Sequence, residues 1–99
     1  MWTKACKADA IEEGKGLTVY LNGRQVALFK SKGEIFAIDN VCPHQGGPLG
    51  EGCLDGEEVT CPWHAWAFNI KTGECQTALG TRQAVFKVKI ENGDAFVEL

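Results

Sequence analysis

Two short motifs, each holding a cysteine and a histidine close together, constrain the fold of this chain more than any other feature. The first is Cys42-Pro43-His44-Gln45-Gly46-Gly47 and the second is Cys61-Pro62-Trp63-His64, with the sixteen residues 45–60 between His44 and Cys61. The chain has two histidines, and both fall inside these motifs. We therefore expect two thiolates and two imidazoles to meet around one metal centre, in a fold that brings both motifs together.

The spacing of the four residues bears on which metal they would bind. Cysteine and histidine suit zinc or an iron–sulfur cluster rather than calcium or magnesium. Zinc fingers usually pair cysteine with cysteine and histidine with histidine, whereas each motif here mixes the two. Gly46 and Gly47 leave bare backbone beside the first motif, which suits amide donors that approach bridging sulfides closely. The spacing favours an iron–sulfur cluster, with structural zinc as the alternative.

At these residues the chain resembles the Rieske family, whose signature is C-x-H, a spacer of similar length, and then C-x-x-H. The resemblance extends through Gly-Gly-Pro-Leu after the first motif and Ala-Trp-Ala-Phe-Asn after the second. It implies one [2Fe–2S] cluster per chain, with two cysteines on one iron and two histidines on the other. Carried over residue by residue, Cys42 and Cys61 would bind the inner iron, and His44 and His64 the outer iron.

The chain departs from the Rieske proteins of respiratory complexes in two ways. Those proteins carry a disulfide between the two loops, at the positions that Gly47 and Trp63 occupy here. They also place a serine and a tyrosine hydroxyl near the cluster, where this chain has Trp66 and Phe68, which cannot donate such bonds. A hydrogen bond to a charged group contributes about 1.5–3 kcal/mol, so two missing donors correspond to up to roughly 130–250 mV. We expect a reduction potential toward the low end of the Rieske range of about −150 to +300 mV.

Strand-like segments separated by turns make up most of the chain. They cover residues 2–6, 17–21, 25–30, 35–39, 58–60, 65–70, 84–90 and 95–99. Asn22-Gly23 and Asn92-Gly93 are typical of tight turns between neighbouring strands. These signals predict an all-β domain. The resemblance implies the Rieske fold, an antiparallel β-sandwich base with an inserted cluster-binding subdomain.

The resemblance also implies how the chain is divided. We expect a single Rieske domain over residues 1–99, with 1–39 and 76–99 as the base and 40–75 as the cluster-binding subdomain. Residues 77–83 stand where Rieske proteins have a third, proline-rich loop that covers the cluster. Because this stretch has no proline, we expect a more mobile cover or a less complete one.

The remaining residues indicate a reduced, soluble protein. A net charge of −3 gives no sign of nucleic-acid binding, and no apolar run reaches membrane-spanning length. Residues 1–4 do not begin a signal peptide. We expect a cytoplasmic monomer without a membrane anchor, in which Cys6, Cys53 and Cys75 are part-buried thiols. A Cys53–Cys75 disulfide, or Cys53 as a replacement ligand, is the alternative.

Nothing in the sequence supplies a nucleophile, a general base or a substrate pocket, so we expect an electron carrier rather than an enzyme. The resemblance to ferredoxins of aromatic-ring dioxygenase systems implies transfer of single electrons from a flavin-containing NAD(P)H reductase to a terminal oxygenase. The alternative is the small subunit of assimilatory NAD(P)H nitrite reductase, whose partner would be the large subunit.

Both partners are expected to dock at the tip that carries the histidines. We expect Trp63, Pro48 and Leu49 to form an apolar collar there, with Trp66 packed inside. The collar residues have the alternative of packing beneath the loop. The acidic residues Glu51, Asp55, Glu57 and Glu58 are expected at the rim, or as an ordinary solvated face.

Overall fold

The computed structural model describes residues 1–43, 46–63, 66–78 and 80–99, and His44 and His64 lie outside these residues. Regular structure in the described residues consists of β strands and two 3-10 helices of three residues, so the all-β prediction is confirmed. Neither of these helices is long and apolar enough to cross a membrane. The strands are β1 (Trp2–Lys7), β2 (Gly16–Leu21), β3 (Arg24–Ser31), β4 (Glu34–Asp39), β5 (Cys53–Asp55), β6 (Glu58–Thr60), β7 (Ala67–Asn69), β8 (Val85–Phe86), β9 (Val88–Glu91) and β10 (Asp94–Glu98). The helices are Ala8–Ala10 and Leu49–Glu51.

Two antiparallel sheets form the base of the molecule. One has the strand order β2-β3-β4-β8, and the other has the order β1-β10-β9, which pairs the two ends of the chain. The predicted Asn22-Gly23 turn joins β2 to β3, and Asn92-Gly93 joins β9 to β10. Both asparagines have positive φ, 51° and 52°, and both glycines have φ of 80°. Two consecutive residues with positive φ define the turn whose twist matches that of an antiparallel hairpin.

The run 84–90, predicted as one strand, is divided between the two sheets. β8 pairs with β4, through Ala37↔Phe86 and Ile38↔Val85, whereas β9 pairs with β10. Lys87 lies between them, and the chain crosses from one sheet to the other at this residue. The alternation of apolar and charged residues predicted an extended segment correctly. It could not show that the segment changes partners halfway.

A third antiparallel sheet, β5-β6-β7, is formed entirely from residues within 40–75. β5 was not predicted, because Cys53-Leu54-Asp55 contains none of the β-branched and aromatic residues that favour strands. β7 is shorter than the predicted strand over 65–70. The division into a base and a cluster-binding subdomain stays a prediction, and the separate sheet supports it.

The core has two clusters of buried side chains, and β3 contributes to both. Val26 and Leu28 pack in the cluster of the base, while Ala27 and Phe29 pack toward the third sheet. Because successive side chains of a strand point to opposite faces, β3 is buried on both sides. The second cluster also contains Cys42, Leu49, Val59, Cys61, Phe68, Ile70 and Cys75. Both predicted cysteine ligands are therefore part of the core that joins the third sheet to the base.

Candidate metal centre

Cys42 and Cys61, nineteen positions apart along the chain, are both 1% exposed and lie in the same core cluster. Cys42 follows β4, and Cys61 follows β6. None of the five cysteines, all of which the structure describes, is in a disulfide. Two soft sulfur donors are thus brought together at the inner side of the two loops, away from water.

Backbone hydrogen bonds close the first loop at its two ends. The Cys42 amide donates to the Gly47 carbonyl at 2.9 Å, and the Gly46 amide donates to the Cys42 carbonyl at 2.8 Å. Gly46 has φ of +83°, a conformation that glycine adopts at no steric cost. Val41 and Pro48 form an antiparallel bridge just outside the loop. Cys42 is therefore held on a loop with fixed ends.

The second loop is closed in the same way, at the end of the β6–β7 hairpin. The Cys61 amide donates to the Trp66 carbonyl at 2.7 Å. Just outside it, Thr60 pairs with Ala67 in the sheet. The loop that carries Cys61 therefore connects the two strands of a hairpin, which holds both ends of the loop.

The two loops touch at Gly47. A Cβ atom on Gly47 would lie 2.7 Å from the Cys61 sulfur and 3.1–3.2 Å from Trp63 side-chain carbons. No real Cβ approaches a sulfur so closely, so only glycine fits at position 47. Respiratory Rieske proteins carry a disulfide at positions 47 and 63, whereas here the backbone of Gly47 packs directly against Cys61 and Trp63.

These observations fit a cluster whose inner iron takes two cysteine ligands. Deeply buried thiolates are stable when a cation compensates their charge, and iron bound to thiolates meets this requirement. Among the described residues no three His, Cys, Asp or Glu side chains come together. The two histidines fall outside those residues, so the four-residue ligand set of Cys42, His44, Cys61 and His64 stays a prediction.

The other three cysteines have different surroundings. Cys53 is exposed, while Cys75 is 4% exposed in the same core as Cys42 and Cys61. The Ala78 amide donates to the Cys75 sulfur at 3.2 Å. Burial, and secondarily the charge of Asp94, raises the pKa of the Cys6 thiol. The Cys53–Cys75 disulfide considered from the sequence is not formed, and no sequence signal placed Cys75 beside the two predicted ligands.

The predicted apolar collar is wrong in one residue. Leu49 is fully buried, so it packs beneath the first loop instead of facing a partner. Pro48 is half-buried, and Trp63 is 60% exposed, as expected for a loop tip. Trp66 is half-buried and packs against the core, as predicted. A surface groove of about 580 Å³ runs beside Trp63 and is lined by Glu51, Gly52, Cys53, Thr60, Cys61, Pro62 and Trp63.

The segment 77–83 is attached to its surroundings at several points. The Cys75 amide donates to the Thr81 carbonyl at 2.9 Å, and the Gln83 amide donates to the Gly73 carbonyl at 2.7 Å. The Thr77 hydroxyl accepts a hydrogen bond from the Ala67 amide at 3.1 Å. The two ends of the segment 77–83 are therefore fixed by hydrogen bonds. That this segment is a mobile or incomplete cover of the cluster stays a prediction.

Three polar side chains are buried in the described residues, and sequence reasoning singled out none of them. They are Ser31, Asn40 and Gln83, at 5%, 1% and 8% exposure. Asn40 stands two residues before Cys42, and that position next to a ligand motif was the only available signal. Gln83 ends the segment 77–83 that was predicted to cover the cluster, but nothing in the sequence marked its side chain as buried, because it lies more than forty residues from Cys42 along the chain.

Comparison with known proteins agrees with this site. A model of the Rieske [2Fe–2S] domain matches residues 1–90. The ferredoxin component of the naphthalene 1,2-dioxygenase/salicylate 5-hydroxylase systems of Ralstonia sp is 39% identical over 92 residues. That match covers 92% of this chain and 88% of the ferredoxin component.

Solved structures share the whole fold. A chain in the complex of reduced oxygenase and oxidized ferredoxin in carbazole 1,9a-dioxygenase superposes with a TM-score of 0.89 at 31% identity, covering 97% of this chain and 91% of that chain. A protein from Mycobacterium tuberculosis, described as an NADH-dependent nitrite reductase small subunit, has the same TM-score of 0.89 at 30% identity, covering 98% and 93%. The paired cysteine loops, the three sheets and the match over residues 1–90 lead to one conclusion: the chain belongs to the Rieske [2Fe–2S] family.

Proposed function

We propose that this protein is the ferredoxin component of a ring-hydroxylating dioxygenase system. It would accept single electrons from a flavin-containing NAD(P)H reductase and deliver them to a terminal Rieske oxygenase. The observation that carries the proposal is a pair of buried cysteines on two closed loops, in a chain that matches dioxygenase ferredoxins over nearly its whole length. The [2Fe–2S] cluster of the family, when bound, supplies a reversible one-electron couple.

The protein's own residues hold the cluster and keep water from its inner side. Cys42 and Cys61 would bind the inner iron from within the core. His44 and His64 would bind the outer iron from the same two loops. The hydrogen bonds that close the loops fix the ends of both segments, so the cysteines need not rearrange when the charge of the site changes. A carrier with fixed ligands exchanges electrons with little structural change.

The surface beside the loops supports docking of a partner. Trp63 exposes 60% of its surface next to the groove that Cys61 lines, and large aromatic residues are frequent contact residues at interfaces. Glu51, Asp55 and Glu58 are exposed on the same subdomain, while Glu57 is half-buried and pairs with Lys71 at 3.3 Å. We propose that Trp63 and Pro48, without Leu49, form the apolar contact. An interface that must form and dissociate at each electron transfer is expected to be small, below about 1,200 Å².

Electron transfer through a reconstituted chain tests the function. The purified protein, an NAD(P)H-dependent flavoprotein reductase and a Rieske oxygenase are combined, and turnover is measured with and without this protein. We expect oxygenase turnover to require it. Trp63→Ala should slow both reduction by the reductase and delivery to the oxygenase while leaving the reduction potential unchanged. Tyr20→Ala is the matched control, because Tyr20 is an exposed aromatic residue (73%) of the base sheet.

The small subunit of assimilatory NAD(P)H nitrite reductase is the second candidate function. The observation that favours it is the equal TM-score of the described nitrite reductase small subunit. The same assay distinguishes the two when the nitrite reductase large subunit replaces the oxygenase. Nitrite-dependent oxidation of NAD(P)H that requires this protein, together with no support of oxygenase turnover, would contradict the dioxygenase proposal.

We also propose that the protein works as a monomer in the cytoplasm. A carrier that serves two partners in turn uses one face for both, and a monomer leaves that face open. Light scattering coupled to gel filtration measures the mass directly. A dimer that persists at micromolar concentration would contradict this part of the proposal.

A further inference from the structure

Each of the three buried polar side chains forms a hydrogen bond with a backbone group of residues 39–56, in or next to the predicted cluster-binding subdomain. Ser31, at the end of β3, donates to the Gly56 carbonyl at 2.7 Å in the turn between β5 and β6. Asn40 belongs to the segment that leads from β4 into the Cys42 loop, and it accepts a hydrogen bond from Gly50. Gln83 donates to two backbone carbonyls of the same segment. A buried polar group is costly unless it is hydrogen-bonded, so these bonds strongly favour one arrangement.

Asn40 connects the start of the Cys42 loop to three other parts of the chain. Its Oδ1 atom accepts from the Gly50 amide at 2.7 Å and from the Thr18 hydroxyl at 3.1 Å. Its Nδ2 atom donates to Gln25 Oε1 at 3.1 Å. The Asn40 main chain adds two bonds, from its amide to the Gln25 carbonyl at 3.0 Å and to its carbonyl from the Leu49 amide at 2.8 Å. The residues on both sides of the loop are thereby fixed to β2 and β3.

Gln83 holds the same segment through its side-chain amide. Its Nε2 atom donates to the Asp39 carbonyl at 2.8 Å and to the Val41 carbonyl at 2.6 Å. These two carbonyls flank Asn40, and Val41 directly precedes Cys42. Because Gln83 ends the segment 77–83, these two bonds connect that segment to the residues that precede Cys42. The Gln83 backbone amide donates to the Gly73 carbonyl.

We propose that Asn40 and Gln83 are positioning residues for Cys42. Together they hold residues 39–41 and the returning segment 48–50, so Cys42 keeps one position relative to Cys61 when the site is oxidised or reduced. The proposal rests on the assignment of Cys42 as a cluster ligand. Ser31 connects the end of β3 to the turn between β5 and β6, which lies outside both cysteine motifs. Its bond therefore contributes to stability without positioning a ligand.

If Asn40 and Gln83 position Cys42, removing either side chain should change the reduction potential of the cluster. A residue that only stabilises the fold would not have this effect. Without either side chain, the carbonyl or amide groups that it satisfies need water, and water enters beside Cys42. Solvent exposure stabilises the more negative, reduced cluster, so the reduction potential rises. A loop that samples several positions also gives a distribution of cluster environments. Such a distribution broadens the lines of the electron paramagnetic resonance spectrum of the reduced protein.

The test compares Asn40→Ala and Gln83→Met with the matched control Ser31→Ala in the cluster-loaded protein. Melting temperature, reduction potential, resonance line width and the rate of iron loss to a chelator are measured. We expect all three variants to melt lower, on the order of 5–15 °C. The two positioning variants should also show a higher potential, broader lines and iron loss at least several-fold faster. Ser31→Ala should match the wild type in these three properties.

Gln83→Met keeps the length of the side chain and decides the question alone if Asn40→Ala fails to assemble. Potential, line width and iron loss that match the Ser31→Ala values would overturn the proposal. These measurements use no partner protein, so they are independent of whether the acceptor is an oxygenase or a nitrite reductase. A wild-type protein that binds no iron and sulfide would overturn the ligand assignment and this inference together.

Discussion

At the scale of single residues, burial separates the predicted ligands from the other cysteines less clearly than expected. Cys75 is nearly as buried as Cys61 and packs in the same cluster, yet it falls outside both motifs. Position within a loop, rather than burial, is what distinguishes the two predicted ligands from Cys75. Cys61 follows a strand end and touches the other loop at Gly47, whereas Cys75 pairs with Phe68 in a bridge.

The ligand assignment predicts different results for cysteines of similar burial. Cys61→Ser should lose the cluster, because a serine hydroxyl is a poor ligand for iron that prefers sulfur. Cys75→Ser, the buried control, and Cys53→Ser, the exposed one, should keep the iron content of the wild type. His44→Ala and His64→Ala should lose or alter the cluster. Iron and absorbance measurements on each purified variant check this, and loss of the cluster in Cys53→Ser would show that the ligand set is wrong.

Because Phe68 has no hydroxyl, we predict that adding one at this position raises the reduction potential. Phe68 is fully buried in the cluster of side chains that contains both cysteines. Phe68→Tyr adds a hydroxyl donor, which should stabilise the reduced state and raise the potential by about 65–130 mV. Voltammetry measures the change.

Phe96→Tyr is the control for Phe68→Tyr, because Phe96 lies in β10 of the base, outside that cluster. It should leave the potential unchanged. Equal potentials for wild type and Phe68→Tyr would mean that solvent exposure or net charge sets the potential instead.

At the scale of elements, the short helix Leu49–Glu51 is what attaches the first loop to the base. Gly50 is buried against β2, and a Cβ there would lie 2.3 Å from the Thr18 hydroxyl oxygen and 2.9 Å from Asn40 Oδ1. A side chain at this position would separate the helix from the sheet. The close approach of these elements therefore depends on glycine.

Gly50→Ala should consequently destabilise the protein by about 1–3 kcal/mol, the usual cost of overpacking. It should also speed the loss of iron, because the returning end of the Cys42 loop is displaced. Thermal unfolding and chelator challenge measure the two effects. Gly56→Asn is the control: Gly56 has open space around it, and asparagine tolerates its φ of +64°. A Gly50→Ala protein as stable as this control would contradict the packing argument.

The turn between β3 and β4 has a carboxylate bound to its backbone. Glu13 accepts from the Lys32 amide at 2.7 Å and from the Gly33 amide at 2.9 Å. These two bonds, the one from Gly33 first, lower the pKa of Glu13. A group whose pKa is lowered by folding contributes stability above its unfolded pKa of about 4.3, and this contribution is lost as the pH falls through the folded pKa.

Glu13→Gln should therefore lower the melting temperature at pH 7, where the wild-type carboxylate is charged. The difference between wild type and variant should shrink as the pH falls below about 4. Melting curves over this pH range measure it. Glu12→Gln is the control, because the Glu12 carboxylate is exposed and forms its ion pair with Lys15, which is exposed too. A difference that grows toward low pH would contradict the assignment.

The elements also show what could be predicted from the sequence. The hairpins at Asn22-Gly23 and Asn92-Gly93 were predicted because two residues with positive φ leave a clear signal. β5 was not predicted, since it contains no β-branched or aromatic residue. The change of sheet at Lys87 was not predicted either, since β8 pairs with β4, which is distant along the chain. In the site, the motifs predicted Cys42 and Cys61 as ligands, and the structure buries both of them in one cluster. The position of Leu49 and the bonds of Asn40 and Gln83 follow from packing that local patterns do not record.

At the scale of the whole molecule, two base sheets support a smaller third sheet that carries the loop of Cys61. β3 is buried on both faces and belongs to both clusters of the core. The cysteines of the predicted ligand set face this shared core, while Trp63 faces outward beside them. This arrangement fits a carrier whose redox site is rigid on its inner side and accessible from its tip.

The central claim is that this arrangement holds a [2Fe–2S] cluster, and a count of iron and acid-labile sulfide in the purified protein tests it most directly. We predict two irons and two sulfides per chain, with loss of both in Cys61→Ser. One zinc per chain and no sulfide would contradict the claim.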